Sequence, residues 1–206
     1  MILAHAPLGL IVAEISKPIW DKKQFSKKQT ISLYLLTIFG SVFPDSDMLI
    51  AIYIGISHRE LLTHTIFPYL LLGFIGFLIN NLPFNKKRNS KWLSRGYINS
   101  FLFCFLIGIA SHFITDTFYA YIYPFLPFSD QSICIGQLAP IIETDNYMIN
   151  YFTTPLALLI ETTIIVSASI FYFIRIKKFD KSRIIGVFTI SFFTIAIITT
   201  ILLFIL

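Results

Sequence analysis

Charged residues are scarce in this chain of 206 residues. They make up 13% of the sequence, whereas about a quarter is usual in soluble globular domains. Hydrophobic residues make up 56%, Phe alone occurs 22 times, and the mean hydropathy is +0.76. A globule of this size cannot bury so much apolar surface. The composition therefore excludes a soluble domain and predicts an all-α membrane protein in contact with the lipid bilayer.

Cysteine is nearly absent, since Cys104 and Cys134 are the two in the chain. They give neither a disulfide framework nor a CxxC metal signature. The N-terminal stretch lacks the basic residues that precede the apolar core of a signal peptide, so we expect it to remain as a short helix. The net charge of +5 comes from short basic runs between apolar stretches, and this pattern predicts membrane topology rather than nucleic-acid binding.

The apolar residues form about six hydrophobic segments, and a spanning helix needs about 20 such residues. The segments are 2–16, 31–54, 64–82, 97–123, 151–174 and 184–206. The first is short, and the second is interrupted by Pro44-Asp45-Ser46-Asp47. We predict a polytopic transmembrane helical bundle that forms one integral membrane domain over residues 1–206. Its last two helices, 151–174 and 184–206, are plain.

The basic residues lie in alternate connections between these segments. Five Lys or Arg occur in each of the loops 17–30, 83–96 and 175–183, which together hold fifteen of the sixteen in the chain. By the positive-inside rule these loops face the cytoplasm, and both termini are then external. Arg59 is the exception on the external side, and it stands beside His58.

Ligand-type residues from several segments fall at the predicted external end. They are His5, Asp45, Asp47, His58, His64, His112 and Asp116. Ionisable residues at membrane depth are costly and usually face a cavity or one another. Imidazole and carboxylate groups are ligands for zinc, and also for manganese or iron. We therefore predict a divalent metal site with zinc as the first choice.

Local patterns support this set. His112 and Asp116 are four residues apart and share a helix face. Pro44 breaks the second segment where the two carboxylates of Asp45 and Asp47 occur, which frees backbone carbonyls and lets the carboxylates turn toward a cavity. The sequence Ser57-His58-Arg59-Glu60 has the form of a capping box, which predicts that the third helix starts at His58.

Most of these residues also have a structural interpretation. His5 could lie at the membrane interface without binding an ion. His112 and Asp116 could form only a hydrogen-bonded pair. Asp45 and Asp47 could cap the ends of a broken helix, because Asp is a favoured cap. The set favours a site because separate structural roles would not place all of its members at one face.

Glu161, Asp130 and Glu143 are acids outside this set that have other interpretations. Glu161 could reach the site or pack as a neutral, protonated side chain. Asp130 and Glu143 are expected to be solvated loop residues.

The motifs also occur in a characteristic order. They are Phe43-Pro44-Asp45-Ser46-Asp47, His58-Arg59 with Thr63-His64-Thr65, and Ser111-His112 with Asp116-Thr117. Over roughly residues 1–155, this order resembles the bacterial inner-membrane metal-dependent hydrolases of the YdjM type. In this resemblance, His5 with Gly9 matches the first element and Asp145 matches a late acidic position. More distantly, the order is similar to that of the soluble zinc-dependent phospholipases C, which implies a phosphoester substrate.

These residues predict metal-assisted hydrolysis at the outer membrane–water boundary. One or two ions would activate water and polarise the scissile group. Asp47 is the expected proton acceptor, and Arg59 is expected to bind an anionic substrate such as a phosphate. A lipid-linked or phosphorylated small substrate is favoured, because lipids reach such a site along the membrane.

Two other classes of protein remain as alternatives. A transporter would carry polar residues along the whole path and paired repeat halves. Here the cytoplasmic half of each segment is nearly bare, apart from Glu14. A non-catalytic membrane protein that keeps a structural metal would carry the same ligands.

Overall fold

The computed structural model describes residues 4–20, 25–55, 57–81, 94–136 and 154–175. Six α-helices lie in these stretches: α1 (His5–Trp20), α2 (Lys27–Val42), α3 (Met48–Ile54), α4 (Phe67–Asn81), α5 (Arg95–Tyr119) and α6 (Pro155–Arg175). The β-structure in the described part is one bridge between Ile122 and Ile133. The all-α class is therefore confirmed for this part of the chain.

Serine residues define the starts of two of these helices. The Ser26 side chain accepts a hydrogen bond from the backbone N–H of Gln29, and the Gln29 side chain accepts one from the Ser26 N–H. This reciprocal pair is a capping box, which satisfies N–H groups that have no partner within the helix. At the start of α5, the Ser94 side chain accepts from the N–H of Tyr97.

The second hydrophobic segment is broken at Pro44, as predicted. Helix α2 ends at Val42, residues Phe43–Asp47 form a 3-10 turn, and α3 begins at Met48. Proline has no N–H and its ring clashes with the preceding turn of an α-helix, so the helix cannot continue through it. Both carboxylates of the segment, Asp45 and Asp47, lie in this 3-10 turn.

The predicted helix start at His58 is wrong. Residues His58–Glu60 and Leu62–His64 form two short 3-10 turns, and α4 begins only at Phe67. The reason is Pro68, which would lie in the interior of a helix that began at His58 but is well tolerated in the first turn of α4. His64 is therefore held by a turn rather than by a helix.

Helix α5 occupies the centre of the described bundle and packs against α1, α2 and α4. Helix α1 also contacts α2 and α6. Far from the carboxylates along α5, a core cluster of Trp20, Leu33, Tyr97 and Cys104 joins the first, second and fifth helices. At the start of α1, the backbone N–H of Ala4 donates to Glu161 Oε1 of α6 at 3.4 Å.

One helix of the described part is long and apolar enough to cross a membrane by length and composition, over Gly96–Tyr119. Two shorter apolar helices cover Phe67–Ile79 and Leu158–Tyr172. The predicted segment 184–206 lies outside the described residues. The arrangement of six spanning segments therefore stays a prediction.

Candidate metal centre

Two carboxylates, those of Asp45 and Asp116, face three histidine rings. The Nε2 atom of His5 lies 3.6 Å from Asp45 Oδ2 and 3.3 Å from Asp116 Oδ1. The Nε2 atom of His64 lies 3.6 Å from Asp45 Oδ1 and 3.8 Å from Asp116 Oδ2. The Nε2 atom of His112 lies 3.7 Å and 3.5 Å from the same two oxygens. Five of the predicted ligand residues, contributed by four separate parts of the chain, therefore converge.

The ring of His112 is oriented by the end of helix α2. Its Nδ1 atom lies 2.9 Å from the backbone carbonyl oxygen of Ser41. The last carbonyls of a helix have no partner within the helix, and Ser41 belongs to the last turn of α2. Since a carbonyl only accepts, Nδ1 carries the hydrogen and Nε2 keeps its lone pair. His112 therefore presents to the carboxylates a nitrogen lone pair that could bind a metal.

Threonine hydroxyls orient the other two rings in the same way. Thr115 Oγ1 lies 3.2 Å from His5 Nδ1 and donates its own hydrogen to a backbone carbonyl of α5 at 2.8 Å. Thr63 Oγ1 donates to Asp47 Oδ2 and lies 3.5 Å from His64 Nδ1. Because each hydroxyl has one hydrogen, each accepts from the neighbouring Nδ1. Both Nε2 atoms then keep a lone pair that could bind a metal, and metal-binding histidines commonly donate their other ring N–H to such a neighbouring group.

Several features of the cluster fit a divalent cation. In the described part of the chain, His5 Nε2 is buried and has no hydrogen-bond partner. The Nε2 atoms of His64 and His112 are 3.3 Å apart, with lone pairs that repel unless a cation or a proton lies between them. Four tetrahedral ligands at zinc distances lie about 3.3 Å from one another. The nitrogen–oxygen separations of 3.3–3.8 Å are close to this value. The cluster could therefore hold a metal ion.

Burial of the ligand side chains makes a compensating positive charge in the cluster important. The side chains of His5, His64, His112 and Asp116 are at most 1% exposed, whereas that of Asp45 is 19% exposed. Buried carboxylates are costly unless they are paired, and neutral imidazoles do not supply a compensating charge. A cation would compensate the carboxylates, and it would reach them from the side of Asp45.

Arg59 supplies one positive charge beside the cluster. It lies in the turn His58–Glu60, is 7% exposed, and places its Nε atom 3.6 Å from Asp116 Oδ2. Its guanidinium carbon lies 5.6 Å from the centroid of the Tyr119 ring, which fits a cation–π contact. The predicted anion-binding cation is therefore next to the candidate metal ligands, and it contacts one of them, Asp116.

Asp47 lies next to the cluster rather than in it. It is buried, and its Oδ2 atom accepts a hydrogen bond from Thr63. Its Oδ1 atom is buried without a hydrogen-bond partner among the described residues. The four residues His5, Asp45, His112 and Asp116 offer ligand atoms that all lie within 4.8 Å of one another, and Asp47 is not one of them. The structure therefore separates the two acids of the 3-10 turn.

Some predicted residues cannot be placed at the site. His58 belongs to the first 3-10 turn, but its side chain is outside the described set. Glu143 and Asp145 lie outside the described residues altogether. Asp130 is exposed, as expected for a solvated loop residue.

Glycines allow the helices that carry the ligands to approach closely. A Cβ atom at Gly9 of α1 would lie 2.9 Å from the Cα atom of Ile38 and would collide with the Ser41 hydroxyl. A Cβ atom at Gly108 of α5 would lie 2.9 Å from the Ser41 backbone nitrogen. Ser41 also donates from its hydroxyl to the His5 carbonyl at 2.8 Å. Helices α1 and α5 thus both approach α2 closely at Ser41.

Sequence analysis did not single out Ser41, Thr63 or Thr115 as partners of the histidines. Thr63 and Thr115 are each within three residues of a predicted ligand, and this proximity is a signal that could have indicated them. Ser41 acts through its backbone carbonyl, which no residue type reveals. Glu161 is expected from the sequence either to reach the site or to pack as a neutral side chain. It accepts a hydrogen bond from the N–H of Ala4, the residue before His5.

Comparison with known proteins now adds to this geometry. The sequence profile described as YdjM inner membrane protein matches residues 1–204. This chain belongs to the YdjM inner membrane protein family. It is therefore an inner membrane protein, and the family resemblance indicated by its motifs is confirmed. No curated protein and no solved structure matches the chain at a significant level. Membership of the YdjM family thus identifies the membrane, while the chemistry of the site depends on its own residues.

Proposed function

We propose that this protein is a membrane-embedded, metal-dependent hydrolase that acts on a phosphoester or lipid-linked substrate. The observation that supports it is the convergence of three histidine Nε2 atoms on the carboxylates of Asp45 and Asp116. The histidine rings are oriented by hydrogen bonds at Nδ1, as is usual for metal-ligating histidines, which donate the other ring N–H to a neighbouring acceptor.

Zinc is the proposed ion, with manganese or iron as alternatives. The donor set is three imidazole nitrogens and two carboxylates, and these ligands suit all three metals. A bound divalent ion supplies a Lewis acid that polarises a scissile group and acidifies a water molecule. The residues that would hold it are His5, Asp45, His64, His112 and Asp116.

The neighbouring residues have separate proposed tasks. Asp47 is the candidate proton acceptor, because its buried Oδ1 atom is not used by the Thr63 hydroxyl. Arg59 is the candidate for binding an anionic substrate, since its planar group can form two parallel bonds to a phosphate. Substrate would approach beside Asp45, which is the one of the five ligand side chains that is more than 1% exposed.

The site is proposed to face the non-cytoplasmic side of the membrane. This orientation depends on the basic loops, which hold fifteen of the sixteen Lys and Arg residues. A reporter fused after Leu206 should score as external, and one inserted near Lys87 should score as cytoplasmic. Export of the Lys87 fusion would show that the topology is inverted and that the site faces the cytosol.

A non-catalytic metal-binding protein is the second candidate. The near-complete burial of four ligand side chains favours it, because closed sites are typical of structural metals. A hydrolase would turn over a substrate and a non-catalytic protein would not, whereas both would contain bound metal.

The test is metal analysis and hydrolysis with the full chain purified in detergent. Folded, monodisperse His112→Ala, Asp116→Ala and Asp45→Ala variants should lose bound metal and hydrolysis of phospholipid or lipid-linked phosphate probes. Asp130→Ala, which removes an exposed acid, is the matched control and should keep both. Metal without turnover of any probe would select the non-catalytic protein. Metal retained by all three ligand variants would refute the site.

A further inference from the structure

The two oxygens of each carboxylate face different histidines. Asp45 Oδ2 lies near His5, whereas Asp45 Oδ1 lies near His64 and His112. Asp116 shows the same division, with Oδ1 near His5 and Oδ2 near His64 and His112. The carboxylate oxygens therefore divide into a pair on a His5 side and a pair on a His64–His112 side, while the His5 and His112 rings themselves stack with their centroids 3.9 Å apart.

A carboxylate that offers one oxygen to each side is the usual bridge between two metal ions. We propose that this site holds two divalent ions, with Asp45 and Asp116 bridging them. His5 binds one ion, and His64 with His112 binds the other. The inference rests on the proposed metal-dependent function and deepens it by fixing the number of ions.

A single ion leaves part of the arrangement unexplained. The group whose ligand atoms all lie within 4.8 Å of one another contains His5, Asp45, His112 and Asp116, but it does not contain His64. Yet His64 is fully buried, and its Nε2 atom lies 3.3 Å from that of His112. A second ion gives the His64 nitrogen a role that the four-residue group does not.

Two further observations support the separation of the sides. The buried His5 Nε2 atom has no hydrogen-bond partner in the described part of the chain. On the opposite side, Arg59 Nε contacts Asp116 Oδ2, the same oxygen that faces His64 and His112. The Arg59 charge is thus directed to the His64–His112 side.

The number of ions bears on the substrate. Two divalent ions carry more positive charge than the two bridging carboxylates and Asp47 together can neutralise. Sites with paired ions about 3.5–4 Å apart are frequent in phosphatases and nucleases, where the two ions contact the attacking and leaving oxygens of a phosphoryl group. A two-ion site therefore favours a phosphoester over an uncharged ester or amide.

Metal stoichiometry tests this directly. The full chain in detergent is loaded with Zn²⁺, excess ion is removed with a mild chelating resin, and zinc per chain is measured by mass spectrometry. We expect two ions per chain in the unaltered protein. His5→Ala and His64→Ala should each keep about one ion, Asp116→Ala should keep none, and Asp130→Ala should keep two.

A second measurement requires no variant. In the protein loaded with Mn²⁺, two bridged ions should give a spin-coupled electron paramagnetic resonance spectrum, whereas a single ion gives an uncoupled one. One ion per chain, with an uncoupled spectrum, would overturn the two-ion proposal and leave the hydrolase proposal standing. If the folded protein bound no ion specifically, both the two-ion proposal and the metal-dependent hydrolase proposal would be refuted.

Discussion

The two halves of helix α5 use their polar residues in different ways. In the first half, Ser100 donates to a carbonyl of its own helix at 3.0 Å, and Tyr97 bonds to Ser32 of the neighbouring α2 beside an apolar core. In the second half, His112 binds the end of α2 and Asp116 contacts His5 of α1. One continuous helix thus carries a packing end and a candidate metal end. What distinguishes them is a cluster of ionisable groups drawn from several elements.

The largest effect on stability is expected at Gly108, which lies between the two halves of α5. In Gly108→Ala, the new Cβ atom would meet backbone atoms of Thr37 and Ser41, which cannot move aside as a side chain can. We expect a loss of about 1–3 kcal/mol in stability, typical of overpacking, and weaker metal binding as α2 and α5 separate. Thermal unfolding and metal titration would measure both.

Gly73→Ala is the matched control for that change. Its Cβ atom would meet only Leu106 Cδ1, at an ordinary contact distance of 3.6 Å. Stability and metal content should stay at the level of the unaltered protein. Equal effects of the two substitutions would show that close approach of the helices at Gly108 does not support the site.

Loss of a hydroxyl at the metal end should weaken metal binding without unfolding the protein. Thr115→Val keeps the shape of the side chain but removes the acceptor for His5 Nδ1. We expect metal affinity to fall about 10–100-fold, the usual cost of losing such a partner, and Thr115→Ser to restore it. Competition with a fluorescent zinc chelator would measure the affinities.

Thr37 provides the comparison at the packing end. It is fully buried, and its hydroxyl donates to the Leu33 carbonyl within α2 at 3.0 Å. Thr37→Val should leave metal affinity unchanged within about twofold. If Thr37→Val reduced affinity as much as Thr115→Val, the effect would belong to packing in general and the tautomer argument would fail.

A substitution at Arg59 tests whether the candidate metal end of α5 also binds substrate. In Arg59→Lys the positive charge stays near Asp116, but the planar fork is lost. We expect hydrolysis to fall about tenfold while metal content stays the same. If the metal were lost instead, the contact of Arg59 with Asp116 would be its main task, and anion binding would have to come from another group.

The smallest effect is expected from Glu161, a buried acid outside the cluster. Glu161 of α6 is 2% exposed and accepts a hydrogen bond from the Ala4 N–H, which connects it to the start of α1. Glu161→Gln keeps an oxygen that can accept the same bond, so metal content should change less than twofold. Asp116→Asn, by contrast, removes one of the two carboxylate charges of the cluster and should abolish metal binding. A large loss of metal in Glu161→Gln would add this acid to the site.

Sequence reasoning succeeded where a local rule decides the structure. Pro44 breaks the second segment because proline lacks an N–H, and no distant contact is needed to predict that. The spacing of His112 and Asp116 places both side chains on one helix face for an equally local reason. Five of the predicted ligand residues do meet in the structure.

The remaining features depend on contacts between distant parts of the chain. The capping-box pattern at Ser57 was misleading because Pro68, eleven residues later, determines where α4 starts. The orientation of His112 by the Ser41 carbonyl depends on how α2 packs against α5. The division of carboxylate oxygens between His5 and the other histidines requires coordinates, since no residue pattern encodes which oxygen faces which ring.

The hydrogen bond from Ala4 to Glu161 links the first helix to the last one described, and this has a consequence for biogenesis. Glu161 is translated more than 150 residues after Ala4. The start of α1, which carries His5, therefore gains this hydrogen bond only after α6 has been made. Assembly of the helices would therefore precede completion of the ligand cluster, and loading of the proposed metal would be a late event in maturation.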